Sequence, residues 1–539
     1  MNSFSSPMLD QSIFDNANES LVLGDFEQAK HILSPYRHLR QNYQIMILLG
    51  IAMAGCHTPK EAAKYLCQAQ QLIEKPSTHC CCELEPYLGR HYLHHLIFPV
   101  VDEAITLTPN DILLHVAKIN ILKHSGQFSL AVAHLKKTIC AFPQHTNSLL
   151  NNLATLLYET GKYRSAYTLY KTLEDRNPNS FAVIANLAAY YNAINDVEQA
   201  FLYYRKAIFI NPTLPALRLN YSLCLLKAQQ YHQGWIEHEW RLKTPNHSSL
   251  PEATLMPSLT HDLDIKGKRI LITQEEGLGD TLMYLRFVPE LIKRGATVEL
   301  WVSAVMEGLC RRLEGNPNVK VGGTTPPPFD WHCPFISLPR VLGAVPGKDG
   351  AAIPYLRAEP RKIAEWKDKL PKTNCLKIGI AWGGDPHPED IAANSTDRKR
   401  SIPLYKLVPL LQSIKNAQFI SLQMGAYAPQ IHDLPASIHL FNPMDTVHDM
   451  DDTAGIIMNL DVILTVDTSV VHLAGALGKP VILMDRYDNC WRWISGQEYS
   501  PWYPNVRIIR QTRPKIWGDV IEKATSILQE MATKHQHKN

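Results

Sequence analysis

Four prolines recur along the first part of the chain at nearly constant spacing: Pro109, Pro143, Pro178 and Pro212 lie 34, 35 and 34 residues apart. A second set keeps the same beat. Phe128, Tyr163, Val197 and Tyr231 are each followed three residues later by a small residue: Ala131, Ala166, Ala200 and Gly234. A proline stops a helix, because it lacks the N–H donor and its ring clashes with the preceding turn. Small residues such as Ala154 and Ala188 let paired helices approach closely. Residues 147–178 therefore read as helix, turn at Thr160-Gly161-Lys162, helix and stop. A period in this range marks an array of stacked units, each unable to bury its apolar face alone.

The pattern over residues 112–244 resembles the tetratricopeptide-repeat family. Upstream, Gly24-Asp25-Phe26-Glu27-Gln28-Ala29 matches a turn and second-helix start, and Gly50, Ala62 and Ala69 fit a further unit. Residues 77–111 are degenerate. The resemblance implies a helical solenoid over residues 1–243 whose concave face holds a protein acceptor or partner. The plain alternative is a stack of helices that buries only its own faces.

Composition narrows the remaining classes. The formal charge is +3, and no block of five or six like charges occurs, so nucleic acid is not an expected partner. The longest apolar run, residues 45–55, is far below the ~20 residues of a membrane span. MNSFSSPMLDQSIFDN has neither a basic nor an apolar leader region, so no secretory signal is expected. Eleven scattered cysteines suggest reduced thiols and a cytoplasmic protein. A dense run, His79, Cys80, Cys81, Cys82, His91, His94 and His95, lacks any CxxC pair, and three adjacent thiols cannot readily share one tetrahedral ion. It reads as part of a repeat helix, and no metal site is expected. Asp449, Asp451 and Asp452 read as a helix start.

Residues 244–266 are rich in Pro, Ser and Thr and read as a linker. Beyond them the pattern becomes strand and helix in alternation. Apolar runs at 269–274, 298–303, 377–382, 418–423, 462–467, 480–485 and 506–511 lack period-2 alternation, as expected of parallel strands buried on both faces. The runs group into a first unit (267–358), a hinge with a short helix near Trp366 (359–376), a second unit (377–531) and a tail (532–539). Ligands of such folds sit at the carboxyl ends of the strands.

Three loops there carry candidate chemistry. Glu276-Gly277-Leu278-Gly279-Asp280-Thr281 follows a strand and opens a helix. Gly277 and Gly279 let a ligand approach the backbone, and Asp280 is either a reactive carboxylate or a helix cap. Asp467-Thr468-Ser469 ends a buried strand and starts a helix that stops at Gly478, and its free N–H groups suit a diphosphate. His472, one turn inside, reaches either the ligand or a buried partner. The third, residues 394–401, reads as a loop with three cations, of which Lys399 or Arg400 would neutralise a leaving diphosphate. Asp485-Arg486-Tyr487 and Cys490-Trp491-Arg492-Trp493 add aromatic and cationic groups that line a pocket or pack its rim.

Together these residues resemble the family 9, heptosyltransferase-like glycosyltransferases, over about residues 268–531. The order of motifs, with DRKRSIP (397–403) and WRW (491–493), looks most like bacterial proteins that fuse tetratricopeptide repeats to such a domain. The resemblance implies an α + α/β chain: a repeat solenoid followed by a GT-B-like pair of Rossmann-like parallel α/β units. It further implies a metal-independent hexosyl or heptosyl transferase, with a nucleotide sugar as substrate and no cofactor. Asp280 would be catalytic, and Gly277, Gly279, Lys399 or Arg400, Asp467, Thr468, Ser469 and His472 would bind the donor. The rival expectation is a non-catalytic repeat scaffold with a degenerate nucleotide-binding module.

Overall fold

The structure is a computed structural model that describes residues 11–22, 25–36, 43–56, 58, 60–62, 64–65, 68, 94–244, 250–259, 263–275, 277–323, 325–387 and 391–537. His79, Cys80, Cys81, Cys82, His91 and Glu276 lie outside the described residues, as do the side chains of His94 and His95. The chain forms two compact units: residues 1–176 with 386–396, and residues 177–385 with 397–539.

The first unit is helical, and its helices pair in chain order. Ile112–His124 packs on Phe128–Ala141, and Thr146–Glu159 on Tyr163–Arg176. The repeated prolines behave as chain stops, since Pro143 and Pro178 each follow two residues after a helix end. Ala131 and Ala166 are fully buried where partner helices meet.

One local feature recurs at each of four helix-pair turns. Gly126, Gly161, Asn195 and Gln229 all have φ between 63° and 80°, and they share the 34–35-residue beat. The residue after each closes the same bond back to the helix: Gln127 to Leu122 O, Lys162 to Leu157 O, Asp196 to Tyr191 O and Gln230 to Leu225 O, at 2.8–3.0 Å. This is a left-handed helix cap, which glycine adopts at least cost.

The second unit begins with two further helix pairs, Phe181–Ala193 with Val197–Ile210 and Pro215–Lys227 with Tyr231–His238. Gly234 must be small, since a Cβ there would lie 2.6 Å from Leu226 Cδ2. The second of these pairs shares a core with the sheets that follow. Trp235 is 2% exposed, donates from Nε1 to Ala344 O at 2.8 Å, and meets the rings of Trp491 and Trp502 edge-on.

Two parallel sheets complete the unit. Strands β1 (Arg269–Thr273), β2 (Thr297–Val302), β3 (Asn318–Val321) and β4 (Trp331–Pro334) form the first, in the order β3-β2-β1-β4. Strands β5 (Leu376–Ala381), β6 (Ala417–Ser421), β7 (Leu440–Phe441), β8 (Val462–Thr465), β9 (Val481–Asp485) and β10 (Val506–Arg510) form the second, in the order β10-β9-β8-β5-β6-β7. All seven apolar runs are strands. The order reverses beside β1 in the first sheet and between β5 and β8 in the second, and the loops after β1 and β8 leave from those points.

Two stretches differ from their sequence reading. The helix that the 276–281 loop opens is broken into Leu278–Tyr284, a 3-10 turn and Val288–Lys293, because Pro289 cannot donate and restricts Val288. Residues 394–400, part of the stretch 394–401 read as loop, lie instead in the helix Ile391–Arg400, whose end is fixed by fully buried Asp397. Asp397 accepts from Ser401 Oγ at 2.9 Å, Tyr427 Oη at 2.8 Å and Arg400 Nε at 3.2 Å. Asp449 caps the helix Met450–Met458, accepting from Asp452 N at 2.8 Å, so the acidic group is a helix start. Among the described residues no helix is long and apolar enough to cross a membrane.

Candidate functional site

The loop after β1 is anchored from outside its own sheet. Buried Arg241, in the turn that follows the last repeat helix, binds Glu275 with two parallel bonds of 3.1 and 2.9 Å. The same guanidinium donates to Glu239 at 2.7 Å and to Ser337 Oγ at 2.7 Å. A forked, buried pair of this kind fixes direction as well as distance. Beyond Glu275 the chain turns at Gly277 into the helix Leu278–Tyr284, with Asp280 in its first turn.

The loop after β8 meets it. Thr468 caps the helix Ser469–Ala476 and accepts from Val470 N at 3.3 Å. The helices Leu278–Tyr284 and Ser469–Ala476 pack directly on each other. A Cβ on Gly279 would stand 3.0 Å from His472 Cδ2 and 3.6 Å from Ser469 Cα, which is tight enough to require glycine or a shift of the imidazole. Gly279, Asp280, Ser469 and His472, far apart in sequence, are thereby brought together. Asp467 is half-buried just before this helix, within electrostatic reach of Arg486, Arg492 and His472.

Arg492 completes the group. It donates to Asp280 from Nη2 and to Cys490 Sγ from Nη1 at 3.1 Å, with its guanidinium over the Trp491 ring. The sequence placed Arg492 in an aromatic stretch but gave no sign that it pairs with a carboxylate 212 positions away. His472 is buried, donates or accepts at Nδ1 with Tyr503 Oη at 3.1 Å, and stacks on Trp493. Burial pushes its pKa down to about 4, with the nearby Arg492 charge acting in the same direction, so the ring is neutral near pH 7.

The two cations proposed for the leaving group have other partners. Lys399 Nζ donates to Asp488 at 3.0 Å, in a pocket that Arg486 also approaches, at 3.8 Å. Arg400 binds Asp397 and lies over Gly384, where a Cβ would fall 2.3 Å from its guanidinium. Lys227, from a repeat helix, joins the charges around Asp488. Its Nζ donates to Asn192 O at 2.9 Å, and burial lowers its pKa to about 8. Among the described residues no group of three or more His, Cys, Asp or Glu side chains is placed to hold a metal ion.

No protein-family model matches the chain. It is 23% identical over 442 residues to protein FlbA of Caulobacter vibrioides, covering 76% of this chain and 72% of that protein. Its structural neighbours are family 9 glycosyltransferases and tetratricopeptide-repeat proteins. A family 9 glycosyl transferase from Veillonella parvula aligns with 49% of this chain and 90% of its own, at 10% identity and a TM-score of 0.36. YrrB, described as a tetratricopeptide-repeat protein with an unusual peptide-binding site, aligns with 33% of this chain and 91% of its own, at 13% identity and a TM-score of 0.21.

Proposed function

We propose that the chain transfers a sugar from a nucleotide-sugar donor to an acceptor hydroxyl. The observation that carries this reading is the meeting of Asp280 with the start of the helix Ser469–Ala476 at the switch points of two parallel sheets. In the reaction the acceptor oxygen bonds to the anomeric carbon as the bond from that carbon to the diphosphate breaks. Asp280 takes the proton from the acceptor hydroxyl. The diphosphate leaves with its negative charge, the largest that develops, against the free N–H groups at Thr468 and Ser469 and the guanidinium of Arg486. Lys399, which with Arg486 flanks Asp488, and Arg400, which binds Asp397, are the other candidate cations for this charge. Inversion at the anomeric carbon, and the exclusion of a metal from the charge balance, follow from the family resemblance and from these cations.

The acceptor we propose is a polypeptide, carried by the helical repeats. The alternative, a non-catalytic scaffold with a nucleotide-binding module, draws support from the ion pair that engages Asp280. Nucleoside diphosphate binding tests the donor placement. Full-length protein should bind at least one of UDP, GDP or ADP, and Ser469→Asp should weaken that binding tenfold or more by setting a charge against the phosphates. Unchanged affinity in Ser469→Asp would remove the diphosphate from this helix.

A further inference from the structure

The first sheet holds the chain as far as Gln274, whose N–H donates to Trp301 O at 3.1 Å. The next residue, Glu275, is gripped by Arg241, and every N–H of that guanidinium has an acceptor. Nε and one Nη2 proton take the two oxygens of Glu275, and the other Nη2 proton goes to Ser337 Oγ. Nη1 donates to Glu239 at 2.7 Å and to His238 O at 3.2 Å. The group cannot turn without breaking a buried bond, and a lysine, with three donors and no fork, cannot replace it.

The grip comes from the last repeat. Arg241 lies in the turn Glu239–Lys243 that continues the helix Tyr231–His238, and His238 Nδ1 lies 2.8 Å from Ser222 Oγ on the paired helix. Arg340 Nε stands 3.0 Å from Glu239, so two guanidiniums face two carboxylates and the buried cluster is neutral.

Two residues past Glu275, Gly277 O accepts from Asp280 N at 3.1 Å, so the direction set at Glu275 is passed to Asp280 within one turn. The far side has little slack. A Cβ on Gly279 would stand 3.0 Å from the His472 ring, and Arg492 holds the Asp280 carboxylate. A shift of about 1 Å at Glu275 would press this helix on His472 or draw Asp280 from a reacting hydroxyl, a misplacement that costs about 10²-fold in rate.

We propose that Arg241 is a positioning residue for sugar transfer, through which the last repeat sets the place of Asp280. The repeats are then needed for the chemical step itself, whatever their groove holds. The step served rests on the transferase reading above; the hold on the loop does not.

Two full-length variants test it. Arg241→Lys keeps the charge without the fork, and Glu275→Gln keeps the shape and loses one of the two acceptors. In each, kcat for release of nucleoside diphosphate should fall roughly ten- to a hundredfold, with donor KM within about twofold. The double variant should be no slower than the slower single, because each substitution breaks the same fork. Effects that multiply in the double variant, or a raised KM with kcat intact, overturn the proposal. Hydrogen exchange reads the hold without turnover: amides of 277–284 should exchange about tenfold faster in both variants, with β1 and the helix Pro215–Lys227 unchanged. Unchanged exchange over 277–284 overturns the proposal, and so does equal acceleration in all three segments, which marks general loosening. If Arg241→Lys does not fold, Glu275→Gln decides by the same two readouts. A wild type that turns over no nucleotide sugar overturns the transferase reading and the role in transfer together, and exchange still decides whether Arg241 holds the loop.

Discussion

Truncation of Trp235 to alanine should destabilise the α/β sheets, although Trp235 lies on a repeat helix. The ring is 2% exposed, touches Trp491 and Trp502, and donates to Ala344 O. Removing a buried Trp side chain costs about 3–5 kcal/mol, and the carbonyl left without a donor adds about 1 kcal/mol. The second unit has about 350 residues. At about 2.1 cal/mol/K per residue, a loss near 5 kcal/mol lowers its melting temperature by roughly 7 °C. Trp235→Phe keeps most of the packing and should cost about 1–2 kcal/mol. Calorimetry with far-UV circular dichroism reads both variants. A transition of the sheets that is unmoved in Trp235→Ala, or one in which helices 215–238 melt apart from the sheets, would refute the shared core.

Two further perturbations probe the site. His472 is neutral when folded, with a pKa near 4 against about 6.5 unfolded, so the unfolded chain gains a proton first as pH falls from 6.5 to 4. Its contribution therefore costs the folded state up to about 3 kcal/mol across that window. Asp485, raised to about 6 by burial, works in the opposite sense, gaining stability as pH falls from about 6 toward 3.8. Denaturant melts at pH 7 and pH 5 should show His472→Gln losing less stability on acidification than the wild type, and an identical loss would contradict the buried neutral ring. In the proposed reaction the helix terminus and Arg486 would balance the leaving charge, so donor turnover should survive EDTA. Loss of turnover that Mg²⁺ or Mn²⁺ restores would mean that the charge balance was misread.

The repeats and most strands were legible because each rests on a dominant local signal. Proline at a fixed interval has one structural consequence, and an uninterrupted apolar run of five or six residues has few. The segments that escaped notice lack such signals. β3 is NVKV with no fully buried position, β4 is WHCP with a polar histidine and a proline, and β7 has two residues. The helix Ile391–Arg400 has no apolar stripe and is fixed at its end by the bonds to Asp397, which no window of sequence displays.

The site divides in the same way. The loops carrying Gly279, Asp280, Thr468 and Ser469 stood out because glycines and caps at strand ends have a local meaning. Their partners did not, because Arg492 on Asp280, Arg241 on Glu275 and Tyr503 on His472 are pairings over distance. Lys399 and Arg400 looked free in the sequence, and only the fold shows Asp488 and Asp397 beside them. The change of pattern at residue 244 likewise gives no hint that helices 215–238 pack with the sheets, since Trp235 and Ala344 meet only in the folded chain.

The measurement that bears most directly on the account is donor turnover by Asp280→Asn. The substitution keeps the size of the side chain and removes its basicity. Release of nucleoside diphosphate from a nucleotide sugar that the wild type turns over should fall by about 10²–10⁴, with donor affinity little changed. Near-normal turnover in Asp280→Asn would contradict the account, leaving Asp280 as the partner of Arg492 and the helix start as a structural feature alone.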